Sequence, residues 1–245
     1  MPGYTRPVPS RLSATLARVE AVTPRSRLIL LDLSGQSFPF QAGQAVMVHT
    51  PGSAGPRAYS IASSPERAAE LSGIELLVGL GDTPPDQHPL TSLPLGSRVE
   101  LEGPLGSFVF PPDATDTHLL FVAGGTGIAP LRAMLDHALR RHPAHRAALM
   151  YSARRADEFA FLPEFEALAL AGTLELHRTV TRDDDEWAGR RGRIGRAHFE
   201  AVLHDPGRTM CFVCGPPQMV DESVTTLMAL GVPDAAIRRE QWGKK

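Results

Sequence analysis

His118-Leu119-Leu120-Phe121-Val122-Ala123-Gly124-Gly125-Thr126-Gly127-Ile128-Ala129-Pro130 decides the fold of this 245-residue chain. Residues 118–123 read as a continuous apolar strand of the kind buried on both faces of a parallel sheet. A helix is predicted over 130–142, because Leu131, Met134, Leu135, Ala138 and Leu139 recur at helical spacing. Glycines between strand and helix let backbone approach a phosphate closely. The helix N-terminus adds unpaired N–H groups and a partial positive charge. The same residues would also serve as a plain strand-to-helix turn, so the turn alone leaves nucleotide binding open.

Towards the C-terminus, predicted strands at 146–151, 173–180 and 209–213 alternate with helices at 162–170, 196–203 and 218–230. That alternation implies a Rossmann-like α/β domain with a parallel sheet. Towards the N-terminus the rhythm is different. Short apolar runs at 12–22, 27–33, 45–49, 57–62, 74–80 and 98–102 are separated by Gly/Pro turns, as in a closed or nearly closed antiparallel β-barrel. Pro111-Pro112 marks the change, which divides the chain into a barrel domain, 1–112, and an α/β domain, 113–245.

Composition excludes several function classes. Hydrophobic residues are 42% and charged residues 21%, ordinary globular values. The net charge is −2, divided evenly between the two parts, so neither is a nucleic-acid clamp. No apolar run approaches membrane-spanning length, and 1–11 lacks a signal-peptide core. The expectation is a cytoplasmic protein without membrane contact. Two cysteines form no disulfide framework and hold no iron–sulfur cluster, and the nine histidines show no metal-ligand spacing. No metal is expected. A P-loop is excluded because no lysine precedes Lys244. The glycine spacing is Gly-Gly-x-Gly-x-x-Pro rather than Gly-x-Gly-x-x-Gly. Of 25 basic residues 23 are Arg, so a lone Arg marks a site weakly.

A second turn, Cys214-Gly215-Pro216-Pro217-Gln218-Met219, ends a later parallel strand. Two such turns at carboxyl ends of parallel strands are placed to face one crevice, where open sheets bind ligands. Cys211-Phe212-Val213-Cys214 spells C-x-x-C. On a strand, however, residues three apart point to opposite faces, which argues against a dithiol.

With Arg57-Ala58-Tyr59-Ser60, these motifs resemble the ferredoxin–NADP reductase superfamily, in that family's order and over 11–242. Gly103-Pro104-Leu105-Gly106-Ser107-Phe108 also matches. The resemblance implies FAD on the barrel and NADPH (or NADH) on the α/β domain, with a hydride passing from nicotinamide to flavin N5. Electrons would then pass to a ferredoxin, flavodoxin or another redox acceptor. Alternatives are an NAD(P)H–flavin reductase, an oxygenase reductase component, or a non-autonomous electron-transfer or nucleotide-binding subunit. The resemblance assigns Arg57 and Ala58 to the flavin, with the Arg57 guanidinium on its pyrophosphate, Tyr59 stacked on the ring, and Ser60 near N5. Gly124, Gly125, Thr126, Gly127 and Pro130 match the nucleotide pyrophosphate turn. Cys214, Gly215, Pro216 and Met219 match the nicotinamide motif, with Cys214 ordering hydride transfer.

Arg154, Arg182 and Arg193 resemble a cluster around a 2′-phosphate and favour NADPH. The acidic run 183–186 beside Arg182 reads as a solvated loop. The family's flavin-phosphate segment is represented by His88-Pro89-Leu90-Thr91, with His in place of Gly, and assigns Thr91 or Ser92 to the phosphate. His88 on this Pro-rich loop is expected to be exposed. The resemblance assigns Trp242 to cover the flavin, with an edge-strand anchor as the alternative, and Glu240 to relay a proton. A monomer is expected.

Overall fold

The structure is a computed structural model that describes residues 10–112, 114, 118–143, 145–182 and 187–242. Six antiparallel strands build the first half: β1 (Ser10–Thr23), β2 (Ser26–Asp32), β3 (Ala45–His49), β4 (Arg57–Ser60), β5 (Gly73–Gly79) and β6 (Arg98–Leu105). Their order is β4-β3-β6-β1-β2-β5. A bridge between Ile61, just past β4, and Leu76 of β5 closes the sheet into a barrel. The expected strand 57–62 therefore ends at Ser60, and its last two residues make the closure instead. Ala62 N–H donates to the Glu75 carbonyl at 2.8 Å. The chain then enters α1 (Pro65–Leu71), which the sequence reading missed. Ser64 caps this helix by accepting from Arg67 N–H, and Pro65 occupies its first turn.

In the second half β7 (His118–Gly124), β8 (Ala147–Ala153), β9 (Leu174–Val180), β10 (Arg190–Arg191), β11 (Thr209–Gly215) and β12 (Ile237–Gln241) run parallel, in the order β10-β9-β8-β7-β11-β12. Helices α2 (Ile128–Arg141), α3 (Leu162–Leu170), α4 (Arg196–Glu200) and α5 (Pro217–Ala229) join them. The strand order reverses between β7 and β11, the place where such sheets take ligands. Helix α2 starts at Ile128, two residues before the expected Pro130, which a first helical turn tolerates. The expected helix 196–203 stops at Glu200. No helix among the described residues is long and apolar enough to cross a membrane.

Period-two alternation along β5 explains how the halves join. Ile74, Leu76 and Val78 point into the barrel core. Glu75 and Leu77 point the other way, towards the parallel-sheet half. Leu77 shares one continuous apolar core with Leu28, Phe108 and Phe110 of the first half and with Leu131, Met134 and Phe212 of the second. Phe110 stacks on Phe212 at 5.4 Å between ring centroids. Glu75 is fully buried and accepts from Arg132 of α2 at 2.8 Å, Arg67 of α1 at 2.7 Å and Arg18 of β1 at 3.0 Å. Arg132, itself 3% exposed, also donates to the Ala62 carbonyl and to Glu164, and lies over the Phe161 ring. Around this centre Glu66 of α1 meets His137 and Arg141 of α2, Glu70 meets Arg140, and Ser64 donates to Asp136.

Burial alone would raise the Glu75 carboxyl. The hydrogen bonds and charges of Arg67 and Arg132 outweigh it and hold the group below its ordinary 4.5. Its stabilising contribution is therefore present above pH 4.5 and is lost as pH falls through the lower folded value. Replacing Glu75→Gln is expected to cost about 3 kcal/mol in urea unfolding at pH 7. The gap from wild type should close on acidification. A gap below about 1 kcal/mol at pH 7 would deny the pair a structural role.

Candidate functional site

The two halves enclose a cavity of about 770 Å³ at the switch point. Its floor is formed by two turns packed backbone to backbone. A Cβ on Gly127 would come within 2.4 Å of the Cys214 carbonyl oxygen, and one on Gly124 within 2.6 Å of Met219 Sδ. Glycine is required here so that the two strand ends can meet. Gly125 differs: its φ is +54° and a Cβ there would meet only the Trp242 indole, at 3.6 Å. No side chain caps the N-terminus of α2, and its first turn holds no acid. Glycine backbone and helix amides thus present a positive, uncrowded face to the cavity.

Tyr151 of β8 holds this turn in place. Its ring is fully buried, its hydroxyl donates to the Gly125 carbonyl at 3.2 Å, and it accepts from Ala160 N–H at 3.1 Å. Burial raises its phenol far above the ordinary value.

On the barrel side Ala58, Tyr59 and Ser60 line the cavity. They belong to β4, where Arg57 and Ala58 are exposed and Tyr59 and Ser60 half-buried. Burial raises the Tyr59 phenol despite the neighbouring Arg57. Arg57 itself lies outside the cavity lining, 3.4 Å from the His88 ring. His88 is buried at 3% exposure, contrary to the expectation of an exposed loop residue. Its ring accepts from Leu90 N–H, and burial followed by the Arg57 charge lowers its pKa. The segment therefore turns inward at His88. Thr91 and Ser92 do not line the cavity, and the Thr91 hydroxyl donates to the Pro85 carbonyl at 2.7 Å. Pro130 and Gly215 also lie outside the lining, Pro130 buried in the helix and Gly215 packed against Gly124.

The opposite end of the cavity is set by strand register. β12 pairs with β11 so that Glu240 stands beside Cys214. The Cys214 thiol, 1% exposed, donates to Glu240 Oε2 at 4.0 Å. Burial, then the Glu240 charge, push this thiol well above its ordinary value, while burial pushes the Glu240 carboxyl up to about 7. Trp242 N–H donates to the Gly215 carbonyl at 3.1 Å, and the edge of its indole lies beside Gly125. Cys211 and Cys214 are both free and lie in cores on opposite sides of the sheet. Burial pushes Cys211 up to about 12. Their placement on opposite faces argues against a redox pair.

Arg154, Arg182 and Arg193 line the cavity together, all exposed and, among the described residues, without an ion pair. Backbone bonds bring their loops together: Arg182 N–H to the Arg154 carbonyl, and Gly192 N–H to the Val180 carbonyl. The acidic run 183–186 lies outside the described residues. Gly124, Gly125, Thr126, Gly127, Cys214, Pro216, Met219, Glu240 and Trp242 also line the cavity. Sequence reasoning missed Arg25, Glu158, Thr23 and Ser26, which also line it. They carry no motif, and only the fold brings them there. A glycine cradle at a helix N-terminus, an aromatic ledge on β4 and an arginine cluster fit an extended flavin and nicotinamide nucleotide pair.

The oxidoreductase FAD-binding domain family matches residues 13–110, and the oxidoreductase NAD-binding domain family matches residues 121–225. Ferredoxin–NADP reductase B of Sorangium cellulosum is 33% identical over 244 residues, covering 92% of this chain and 96% of that protein. The reductase component of phenol 2-monooxygenase from a Pseudomonas species is 36% identical over 197 residues, 78% of this chain and 54% of its own length. This chain therefore spans about half of that relative. The crystal structure of an Amycolatopsis cytochrome P450 reductase is similar with a TM-score of 0.83 at 31% identity, covering 95% of this chain and 70% of that one. Both domain matches, the near full-length relative and the shared two-sheet architecture show that the chain belongs to the ferredoxin–NADP reductase superfamily of FAD- and NAD(P)-binding oxidoreductases.

Proposed function

We propose that this chain oxidises NADPH through bound FAD and passes the electrons to a separate redox protein in the cytoplasm. One observation carries the reading: Tyr59 and Ser60 from the barrel line one cavity with Cys214, Glu240 and Trp242 from the parallel-sheet half. Bound FAD supplies the conversion of a two-electron hydride into single-electron steps. In this reading residues 1–112 are the flavin unit and residues 113–245 the nucleotide unit, and the chain acts as a monomer. The names of the relatives, a ferredoxin–NADP reductase and an oxygenase reductase component, support a protein acceptor.

The roles follow from side-chain chemistry. Tyr59 offers a ring face for stacking, and Ser60 a hydroxyl at the cavity wall. Arg57, held against His88, neutralises flavin phosphate from outside the cavity. Cys214, neutral at all working pH values, shapes the ring site without adding charge. Trp242 excludes water from the glycine turn and is the residue that has to move aside for a nicotinamide ring. Glu240 holds or gives up a proton near neutrality beside Cys214. Arg154, Arg182 and Arg193 offer several guanidinium donors, which suits the dianionic 2′-phosphate.

Anaerobic titration of the purified protein tests the nucleotide preference. The flavin absorbance should bleach at much lower NADPH than NADH, and equal bleaching would remove the 2′-phosphate assignment. Arg154→Ala and Arg182→Ala should each raise the KM for NADPH about tenfold, the effect of losing roughly 1.4 kcal/mol from a charge-assisted contact, and barely move that for NADH.

Tyr59→Ala should lower the FAD retained through gel filtration. Unchanged flavin content would count against stacking.

Glu240 adds a pH signature. Its folded value, about 7, lies above the ordinary 4.5. Its contribution to stability is therefore present below 4.5 and is lost as pH rises through about 7. Relative to wild type, Glu240→Gln should gain stability between pH 5 and pH 8 in urea unfolding. It should also flatten the inflection near pH 7 in the rate of NADPH oxidation. A profile identical to wild type would exclude Glu240 as the titrating group.

A further inference from the structure

The cavity holds a fourth arginine, and this one comes from the barrel. Arg25 lies in the tight turn between β1 and β2, where Ser26 pairs with Gly79 of β5. Gly79 in turn abuts the glycine turn: a Cβ on it would stand 3.1 Å from Thr126 Cγ2. The hairpin is firmly set. The Thr23 and Ser26 hydroxyls share a buried hydrogen bond of 2.7 Å, and Leu80 N–H donates to the Arg25 carbonyl at 2.9 Å. Arg25 thus lines the same cavity as Gly124–Gly127, from the barrel side.

The guanidinium is held loosely. Asp82, 95% exposed, pairs with it at 3.0 Å, a contact that solvent screens. Its other partner crosses the domain cleft: Glu158, on the turn after β8, stands 3.7 Å from Arg25 Nε. That separation is beyond hydrogen-bond range and leaves a Coulombic tether. A guanidinium has five N–H donors, so most of its capacity is uncommitted. The glycine turn, by contrast, has no cation of its own, since 124–131 is uncharged.

We propose that Arg25 is a nucleotide-binding residue, exchanging the Glu158 carboxylate for the pyrophosphate of the nicotinamide nucleotide so that the barrel grips a ligand carried by the parallel sheet. The inference rests on the NADPH reading above. The flavin pyrophosphate is the other phosphate within the protein's chemistry. Arg57, the arginine assigned to it, lies outside this cavity, whereas Arg25 lines it together with the glycine turn.

Calorimetric titration of the FAD-loaded protein with NADP+ and with 2′-AMP tests the assignment, because 2′-AMP carries the 2′-phosphate but no pyrophosphate. Arg25→Ala should raise the Kd for NADP+ about tenfold, leave that for 2′-AMP within about twofold, and leave FAD content unchanged. Arg25→Lys should recover part of the loss. Glu158→Gln removes the competing carboxylate and should tighten NADP+ binding, a gain that disappears when combined with Arg25→Ala. Equal weakening of both ligands would mark a merely structural arginine and overturn the inference. Loss of FAD with unmoved NADP+ affinity would assign Arg25 to the flavin and overturn it as well. A wild-type protein that binds neither ligand overturns the nucleotide reading and this inference with it. Binding of both ligands, with unchanged affinities in Arg25→Ala, overturns this inference alone.

Discussion

The buried carboxylate of Glu75 fixes how the two halves meet, and the cavity between them depends on that meeting. Removing Glu75 and Arg132 from water costs several kcal/mol per ion, and an apolar pair of the same volume would hold the interface at least as firmly. What an apolar pair lacks is direction. Glu75 accepts from Arg18, Arg67 and Arg132 on three different elements, and Arg132 is fixed in turn by Glu164, the Ala62 carbonyl and the Phe161 face. Sliding the halves by a fraction of a side chain would leave a buried charge unpaired. The ionic centre therefore specifies position more than it adds stability.

Position matters because the outward face of β5 runs straight from that centre to the site. Glu75 meets α2, Leu77 enters the shared core, and Gly79 touches Thr126. One strand thus sets the distance between the barrel wall bearing Tyr59 and the glycine turn at the start of α2. The turn itself is locked from the other side, where Tyr151 holds the Gly125 carbonyl and the 214–219 loop fills the space a side chain on Gly124 or Gly127 would need. Three constraints from distant parts of the sequence converge on a few backbone amides.

The sequence was informative where local chemistry dictates local pattern. The six barrel strands, the parallel strands at 118–124 and 209–215 and the cavity-lining glycines were legible because periodicity and glycine spacing encode them. Helix α1 was missed although Ser64-Pro65-Glu66 carries a helix-start signal, because the expected strand ran through to residue 62. β12, Ile237-Arg238-Arg239-Glu240-Gln241, was missed for a different reason. As a polar edge strand it has no apolar alternation to detect, and only its pairing with β11 identifies it. His88 looked exposed from its Pro-rich neighbours, yet its ring is buried with Arg57 alongside. Glu75, the Arg25–Glu158 tether and Arg132 depend on tertiary contacts between residues far apart in sequence. The one local hint was a charge inside the apolar run 74–80.

Along the cavity the electrostatics are graded, and that gradient bears on how a dinucleotide would lie. Arg154, Arg182, Arg193 and the helix amides make one stretch strongly positive. At Cys214 the environment is close to neutral, since its thiol stays protonated and burial keeps much of Glu240 protonated up to about pH 7. A ligand with several phosphates at one end and an uncharged reduced ring at the other gains most in a single orientation, phosphates towards the arginines and ring towards Cys214 and Trp242. The reverse orientation would take the phosphates away from the arginines and the helix amides, forfeiting that attraction.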